Sequence, residues 1–302
     1  MGGIIVVPAL MGRLCNRVLQ CYRAFWFAAV HGLPPSSVRI PCDGIISGSR
    51  LFDGMRGSIV PGRDLDRVTP VVTYNCRGRL TQEVRKDLFD MPIPDSGCVR
   101  IVAGSFLYPE LPWERALFAG LFDNRKFRDE VVSRYASLLC GNTVGYTVRR
   151  GDTVDRRKYR TLSPEFIVSD WEAIVARYHG LVRIVVTSDD CDYVERLVSA
   201  NSRLADNVAI VRDDPDACIY LLSMCDTVVN NGQLQCVSAW TNEPETLYES
   251  TFGQVAQALN RSYKYAAFRT SGPGATPATD PSGLSATRGG CECRYPPLIN
   301  PD

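Results

Sequence analysis

Charge of one sign is what this sequence lacks most plainly: 34 Lys and Arg stand against 33 Asp and Glu, a formal net charge of +1. No global field draws the chain to nucleic acid or to an acidic membrane, so any anion site has to be local. Long apolar runs are missing too. Gly3 to Met11 is too short to span a bilayer, and Ala24 to Val30 is bounded by Arg23 and His31. Neither a membrane anchor nor a signal peptide is read, and a cytoplasmic location is expected. The 12 cysteines show no paired CxxC and no Cys/His ligand spacing, which argues against a structural metal. Cys21, Cys140, Cys218 and Cys225 occupy apolar positions of apparent helices and read as small buried hydrophobes with reduced thiols. Only two histidines occur, His31 at an apparent helix end and His179 before a glycine, and both read as capping or surface residues. The GxGxxG turn of dinucleotide-binding folds is absent after the first strand, which excludes the common dehydrogenase pattern.

What is present is ordinary globular composition, 45% hydrophobic and 22% charged over 302 residues, enough for two modest domains or one large α/β unit. The β-branched run Gly3 to Pro8 reads as a buried parallel strand, followed by a turn at Met11-Gly12-Arg13. From Leu14 the apolar residues Val18, Cys21, Tyr22, Phe25 and Ala29 recur at helical spacing, with Asn16, Arg17, Gln20 and Arg23 between them, which predicts an amphipathic helix ending near His31. Residues 33–110 alternate short apolar runs with glycine, proline and charge, and read as mixed short strands and loops. Trp113 to Leu139 regains a helical period. After Gly141 the pattern becomes regular: strands at 144–148, 182–187, 208–211 and 227–230 alternate with helices at 164–178, 191–199 and 217–225, which predicts a parallel sheet covered by helices. Ser163 and Asp216 are N-cap candidates, and Pro164 suits a first helical position. The Pro/Gly-rich residues 267–302, with Cys291 and Cys293, read as a disordered tail.

The chemistry-bearing segments are the ends of three of these strands. Val148 runs into Arg149-Arg150-Gly151-Asp152, so guanidinium groups project from the C-terminal end of a parallel strand, where open α/β sheets bind ligands. Arginine offers planar bidentate hydrogen bonds to phosphate oxygens and stays charged, so it can also stabilise a departing diphosphate. A solvated basic turn is the competing account of an isolated arginine pair. The second strand ends in Ser188-Asp189-Asp190, where a carboxylate can accept from ribose hydroxyls or a base, although such a triplet also caps helices. The third ends in Asn230-Asn231-Gly232-Gln233; the glycine admits close backbone approach, and amides at a following helix start can bind phosphate. Three polar clusters at one sheet edge favour a site over unrelated loops.

Here the chain resembles a known family. Met11 to Gln20 is similar to the GG-L-GNQ-x-FQ opening of α-1,2-fucosyltransferases through Gly12, Leu14, Asn16 and Gln20. Val148 to Asp152 resembles that family's HVRRGD motif, and Ser188-Asp189-Asp190 its F-SDD motif. Asp216 to Trp240 resembles its D-x-YLMS-x-CD…SNS-x-FSWWGAW segment through Tyr220, Leu221, Ser223, Cys225, Asp226, Asn231, Ala239 and Trp240; Gly104-Ser105-Phe106 resembles a G-Y-F element. The likeness covers residues 4–245 in order and extends to α-1,6 and nodulation-type fucosyltransferases, which share the arginine pair.

The resemblance implies an α/β fold of the GT-B type, with two Rossmann-like domains bearing parallel sheets: 1–140 on the acceptor side, 141–266 binding the nucleotide sugar, and the tail at 267–302. It implies inverting, metal-independent transfer of fucose from GDP-fucose to a hydroxyl of a glycan acceptor, the galactose 2-OH, with no further cofactor. Arg150, with Arg149 beside it, would hold the β-phosphate and assist departure of GDP. Asp189, flanked by Ser188 and Asp190, would contact the nucleoside; Asn231, Gly232 and Gln233 would line the phosphate end, and Asn16 would face the cleft. Asp152, Asp155 and Glu110 are candidate bases for the acceptor hydroxyl. Thr147 stands where the family's motif has histidine, and Gly232, Gln233, Cys236 and Val237 alter the serine- and tryptophan-rich segment. These departures leave open a different donor sugar, or a nucleotide-sugar or glycan-binding descendant without turnover.

Overall fold

The computed structural model describes residues 3–66, 68–76, 81–103, 107–150, 159–160, 162–229, 233–235, 246–248 and 251–260; the predicted tail lies outside them. Strand β1 (Ile4–Pro8) leads through Gly12, whose φ of 80° demands glycine, into helix α1 (Leu14–Val30). Next come β2 (Ile40–Cys42), α2 (Gly44–Gly48), a 3-10 segment (Arg50–Ser58), β3 (Ile59–Pro61), α3 (Gly62–Asp66), β4 (Val72–Cys76), α4 (Thr81–Phe89) and β5 (Gly97–Ala103). A parallel three-stranded sheet of order β1-β5-β4 forms the first layer, and β2 pairs with β3 in a separate parallel ribbon. The irregular stretch expected at 33–110 thus contains strands close to the apolar runs at 71–74 and 99–103, whereas Ile45 and Ile46 are helical because the Asp43 carboxylate accepts both of their backbone N–H groups.

Helix α1 departs from the predicted amphipathic pattern. Gln20 is 3% exposed and Arg23 fully buried, because α1 packs on β1, on α4, on α5 (Pro112–Phe122) and on α10 (Thr251–Leu259). Elements from both ends of the chain therefore enclose a helix that local periodicity presents as one-sided. The helical period at 113–139 resolves into two helices, α5 and α6 (Arg125–Arg134), broken at Asp123-Asn124, where the Asn124 side chain accepts the Phe127 N–H and caps the second. Cys140, expected to be buried, lies beyond α6 in a turn and is exposed.

The second layer is as regular as its sequence. Strands β6 (Thr143–Val148), β8 (Arg183–Ser188), β9 (Val208–Val211) and β10 (Thr227–Val229) form a parallel sheet of order β10-β6-β8-β9, alternating with α7 (Pro164–Arg177), α8 (Cys191–Ala200) and α9 (Pro215–Met224). Ser163 caps α7 with Pro164 at its first position, as expected. Helix α9 starts two residues before the predicted point: Asp214, not Asp216, is its N-cap, because Pro215 supplies the fixed φ of a first helical residue. A further antiparallel ribbon joins β7 (Tyr159–Arg160), β11 (Gln233–Gln235) and β12 (Thr246–Tyr248). The segment after Gly232, expected to open a helix, is therefore a strand.

Helix α9 is pressed onto β6 and also reaches the N-terminal half. A Cβ placed on Gly145 would lie 2.9 Å from Leu222 Cδ2 and 3.3 Å from Cys225 Sγ. Asp216 accepts from Ser49 Oγ at 2.9 Å and from the Arg50 N–H at 2.6 Å. The Tyr220 hydroxyl accepts the Asn124 N–H at 2.8 Å and donates to the Phe122 carbonyl at 2.5 Å. Before α9, Asp213 accepts from Arg134 and from the Tyr135 hydroxyl.

Gly145→Ala is expected to lower unfolding free energy by about 1–3 kcal/mol in a urea titration, as overpacking does, and the added Leu222→Ala to recover part of that loss. Partial burial pushes Asp213 upward, but hydrogen bonds from Tyr135, the Asp214 N–H and Arg134 outweigh it and hold the carboxyl below its ordinary value. The stability this contributes is complete above the unfolded-state value and disappears as pH falls through the lower folded-state value. The stability gap between wild type and Asp213→Asn should accordingly be largest near neutrality and shrink as pH drops below about 4.

Candidate functional site

The sheet order sets β10, β6 and β8 side by side and parallel, so the three strand ends singled out in the sequence open on one edge. Asp189 and Asp190 hold that edge together. Asp189 Oδ1 accepts the Arg150 backbone N–H at 2.7 Å, bridging the ends of β8 and β6. Asp190 is the N-cap of α8, its Oδ1 accepting the Tyr193 N–H at 3.0 Å, and Ser188 Oγ accepts the Asp190 N–H at 3.0 Å. The triplet predicted to meet a nucleoside thus also shapes the loop that carries it.

Strand alternation divides the two arginines. Gly145 faces α9, whereas Tyr146 faces α7, where its ring packs edge-on to Trp171 at 5.9 Å and its hydroxyl donates to Asp170 at 2.8 Å. Thr147 and Arg149 then share the α9 side, while Val148 and Arg150 share the side of α7 and α8. The contacts beyond the strand agree. The Arg150 guanidinium lies over the Tyr193 ring of α8, with Cζ 3.7 Å from the centroid, and its Nε is 3.9 Å from Asp190 Oδ2. Arg149 acts on the opposite side: burial pushes the Cys15 thiol far above its ordinary value, the Arg149 charge opposes that rise, and Asp216 adds to it. Strand alternation thus sets Arg149 on the α9 face of the sheet, with its charge felt by Cys15, whereas Arg150 is seated on α8.

The first loop is built to fix that turn. Gln20 Oε1 accepts the Met11 N–H at 2.8 Å, and Arg17 Nε donates to the Gly12 carbonyl at 3.0 Å while the same guanidinium pairs with Asp43. Asn16, in the first turn, stands against Gly12: a Cβ there would lie 2.4 Å from Asn16 Nδ2. No acidic residue occupies the first turn of α1, so its unopposed amide dipoles and the Arg149 charge have the same sign. Thr147 and its register partner Thr187 are 3% and 4% exposed on the intervening sheet surface.

Other expected residues divide differently. Asp152, Asp155, Asn231, Gly232 and the Gly104-Ser105-Phe106 element lie outside the described residues, and Gln233 is described by its backbone pairing with Tyr248. Glu110 is bound to Arg85 Nη1 at 2.7 Å in a cluster with the fully buried Glu114. His31 is the residue at the end of α1 and hydrogen-bonds the Leu88 carbonyl at 2.8 Å; His179 follows α7 with φ of 52°. Both perform the structural roles read for them. Asp216, Tyr220 and Asp226, which carry much of the family likeness, join elements rather than line the edge; Asp226 accepts the Thr143 N–H and hydroxyl at 2.8 and 3.0 Å. Sequence reasoning missed Tyr193. Its signal is the spacing from Asp190, since an N-cap residue and the residue three positions on share the first turn. Among the described residues no group of three or more His, Cys, Asp or Glu is arranged to hold a metal, and no helix is long and apolar enough to cross a membrane.

No protein-family model and no curated protein sequence matches the chain. Solved structures do. The fucosyltransferase NodZ from Bradyrhizobium superposes with a TM-score of 0.51 at 15% identity, covering 85% of this chain and 93% of that one. The NodZ α-1,6-fucosyltransferase soaked with GDP-fucose gives 0.50 at 15% identity over 86% and 93%. POFUT1 in complex with GDP-fucose gives 0.46 at 13% identity over 87% and 96%. The NodZ likeness establishes the fold: this chain has the α/β architecture with parallel sheets of GT-B fucosyltransferases.

Proposed function

We propose that the protein is a glycosyltransferase that moves fucose from GDP-fucose to a hydroxyl of a glycan acceptor, the galactose 2-OH, with inversion. The observation that carries this reading is the position of Arg149, at the C-terminal end of the buried parallel strand β6, beside the ends of β8 and β10. NodZ, of the same fold, is the protein soaked with GDP-fucose. In this reading residues 1–140 bear the acceptor and 141–266 the donor.

The reaction breaks the bond between the fucose anomeric carbon and the β-phosphate oxygen. The electron pair leaves with GDP, and the acceptor oxygen forms the new bond from the opposite face. Negative charge grows on the diphosphate as it departs. The family likeness gave this role to Arg150 with Arg149 beside it; because Arg150 is seated on Tyr193, the reading proposed here gives it to Arg149, which with the amide end of α1 meets that charge without reorganising, where fixed dipoles lower a barrier. Guanidinium geometry suits two phosphate oxygens at once. Asp189 and Asp190 hold the strand end and offer their remaining lone pairs to the nucleoside; Asn16 faces the cleft, and Asn231, Gly232 and Gln233 line the phosphate end. Asp152, close behind the arginines in sequence, is the assigned acceptor of the hydroxyl proton. No metal or cofactor is assigned to the step.

One observation supports a second reading. Thr147 replaces the motif histidine and is almost fully buried, so its short side chain offers no imidazole to a guanine. A donor with another base or sugar is the alternative.

Thermal-shift titration of the purified chain against GDP-fucose, GDP-mannose, UDP-sugars and dTDP-rhamnose discriminates these. Stabilisation by GDP-fucose is expected, and Arg149→Ala should weaken binding by roughly 10- to 100-fold, the range for losing a charged hydrogen-bond donor. Arg149→Lys should recover little of it, because a point charge does not reproduce the planar fork. A shift with another nucleotide sugar alone replaces the donor, and no shift with any of them sinks the reading.

A further inference from the structure

The two arginines are adjacent in sequence and opposite in setting, and Arg150 is seated through both its backbone and its guanidinium. Its backbone N–H is held by Asp189 Oδ1 at 2.7 Å, its Nε faces Asp190 Oδ2 at 3.9 Å, and its guanidinium carbon sits 3.7 Å from the centre of the Tyr193 ring. Tyr193 is 7% exposed. Its own backbone N–H is the one that Asp190 binds at 3.0 Å, so ring, cap and guanidinium form a closed set at the start of α8. The Tyr193 hydroxyl is buried and has no hydrogen-bond partner among the described residues. What Tyr193 presents to Arg150 is therefore its π face and not its oxygen.

An arginine two residues past the end of a strand ordinarily samples many rotamers, and its charge competes with its neighbour for any anion. Seating it over an aromatic face removes both freedoms, since the ring quadrupole attracts the cation and the flat ring matches the flat guanidinium. We propose that Tyr193 is a positioning residue of the donor site: its ring anchors Arg150 on the α8 side of the sheet, and this anchor fixes the strand end from which Arg149 meets the diphosphate. The inference rests on the donor reading given above. It adds that Arg150 acts as a support and that the support is aromatic.

The test uses the full-length chain with GDP as the probe, measured by calorimetry, in a double-mutant cycle of Tyr193→Leu and Arg150→Met. Tyr193→Leu should weaken GDP binding roughly tenfold, within the range reported for desolvated cation–π pairs, and Tyr193→Phe should restore it to within about twofold because the hydroxyl has no role. In the Arg150→Met background, Tyr193→Leu should cost nothing further. An independent readout needs no ligand: in the NMR spectrum of the free protein, the Arg150 Nε–H proton carries the ring-current shift of Tyr193, retained in Tyr193→Phe and lost in Tyr193→Leu. Should Tyr193→Leu fail to fold, Tyr193→Met serves in its place.

An unchanged GDP affinity in Tyr193→Leu overturns the inference, as does a loss of equal size in the Arg150→Met background. If the wild-type chain binds no GDP, the donor reading fails and the NMR readout alone decides the seat: an Arg150 resonance that ignores the removal of the ring overturns it, and one that moves supports it.

Discussion

The contact between helix α9 and strand β6 is the constraint on which the rest of the structure depends. A Cβ at position 145 would crowd Leu222 and Cys225 of this helix, so the glycine lets α9 lie close against the strand. From there Asp216 and Tyr220 reach the 3-10 segment and the α5–α6 junction through direct hydrogen bonds. Burial lifts the Asp216 carboxyl above its ordinary value, and donation from the Arg50 N–H and Ser49 offsets that rise only in part. A single helix thus serves as sheet cover on one side and as a strut to the N-terminal half on the other.

The half from residue 141 onward was legible in the sequence because its physics is local. Parallel strands buried on both faces read as β-branched runs, and Ser163-Pro164 announces a helix start by side-chain chemistry alone; Asp214-Pro215 carries the same signal, which the choice of Asp216 as cap overlooked. The N-terminal half was less legible, since the surroundings of α1 come from distant parts of the chain. Gln20 and Arg23 look like a solvent face until α5 and α10 cover them. Cys140 shows the same limit in reverse, an apolar-looking position left outside by a turn.

At the candidate site, the neighbouring strand ends were legible in the sequence, but the direction of each side chain was not. The alternation that separates Arg149 from Arg150 is readable in principle, because Gly145 marks the crowded face; what was missing was the identity of the crowding helix. Several residues that carry the family likeness, among them Gln20, Tyr220 and Asp226, turn out to hold backbone in place. Residues of this kind serve the fold as much as any chemistry.

Helix α10 has a consequence for how the chain is made. Its buried residues Val255, Ala256 and Leu259 join the same apolar cluster as Val18, Tyr22 and Phe25 of α1, some 240 positions earlier in the sequence. Such a contact closes one of the longest loops the chain offers. On the ribosome the first helix emerges long before its last partner, with an apolar flank that nothing yet covers. Completion of the N-terminal core therefore waits on synthesis of the C-terminal half, the interval in which exposed apolar surface is most prone to wrong contacts.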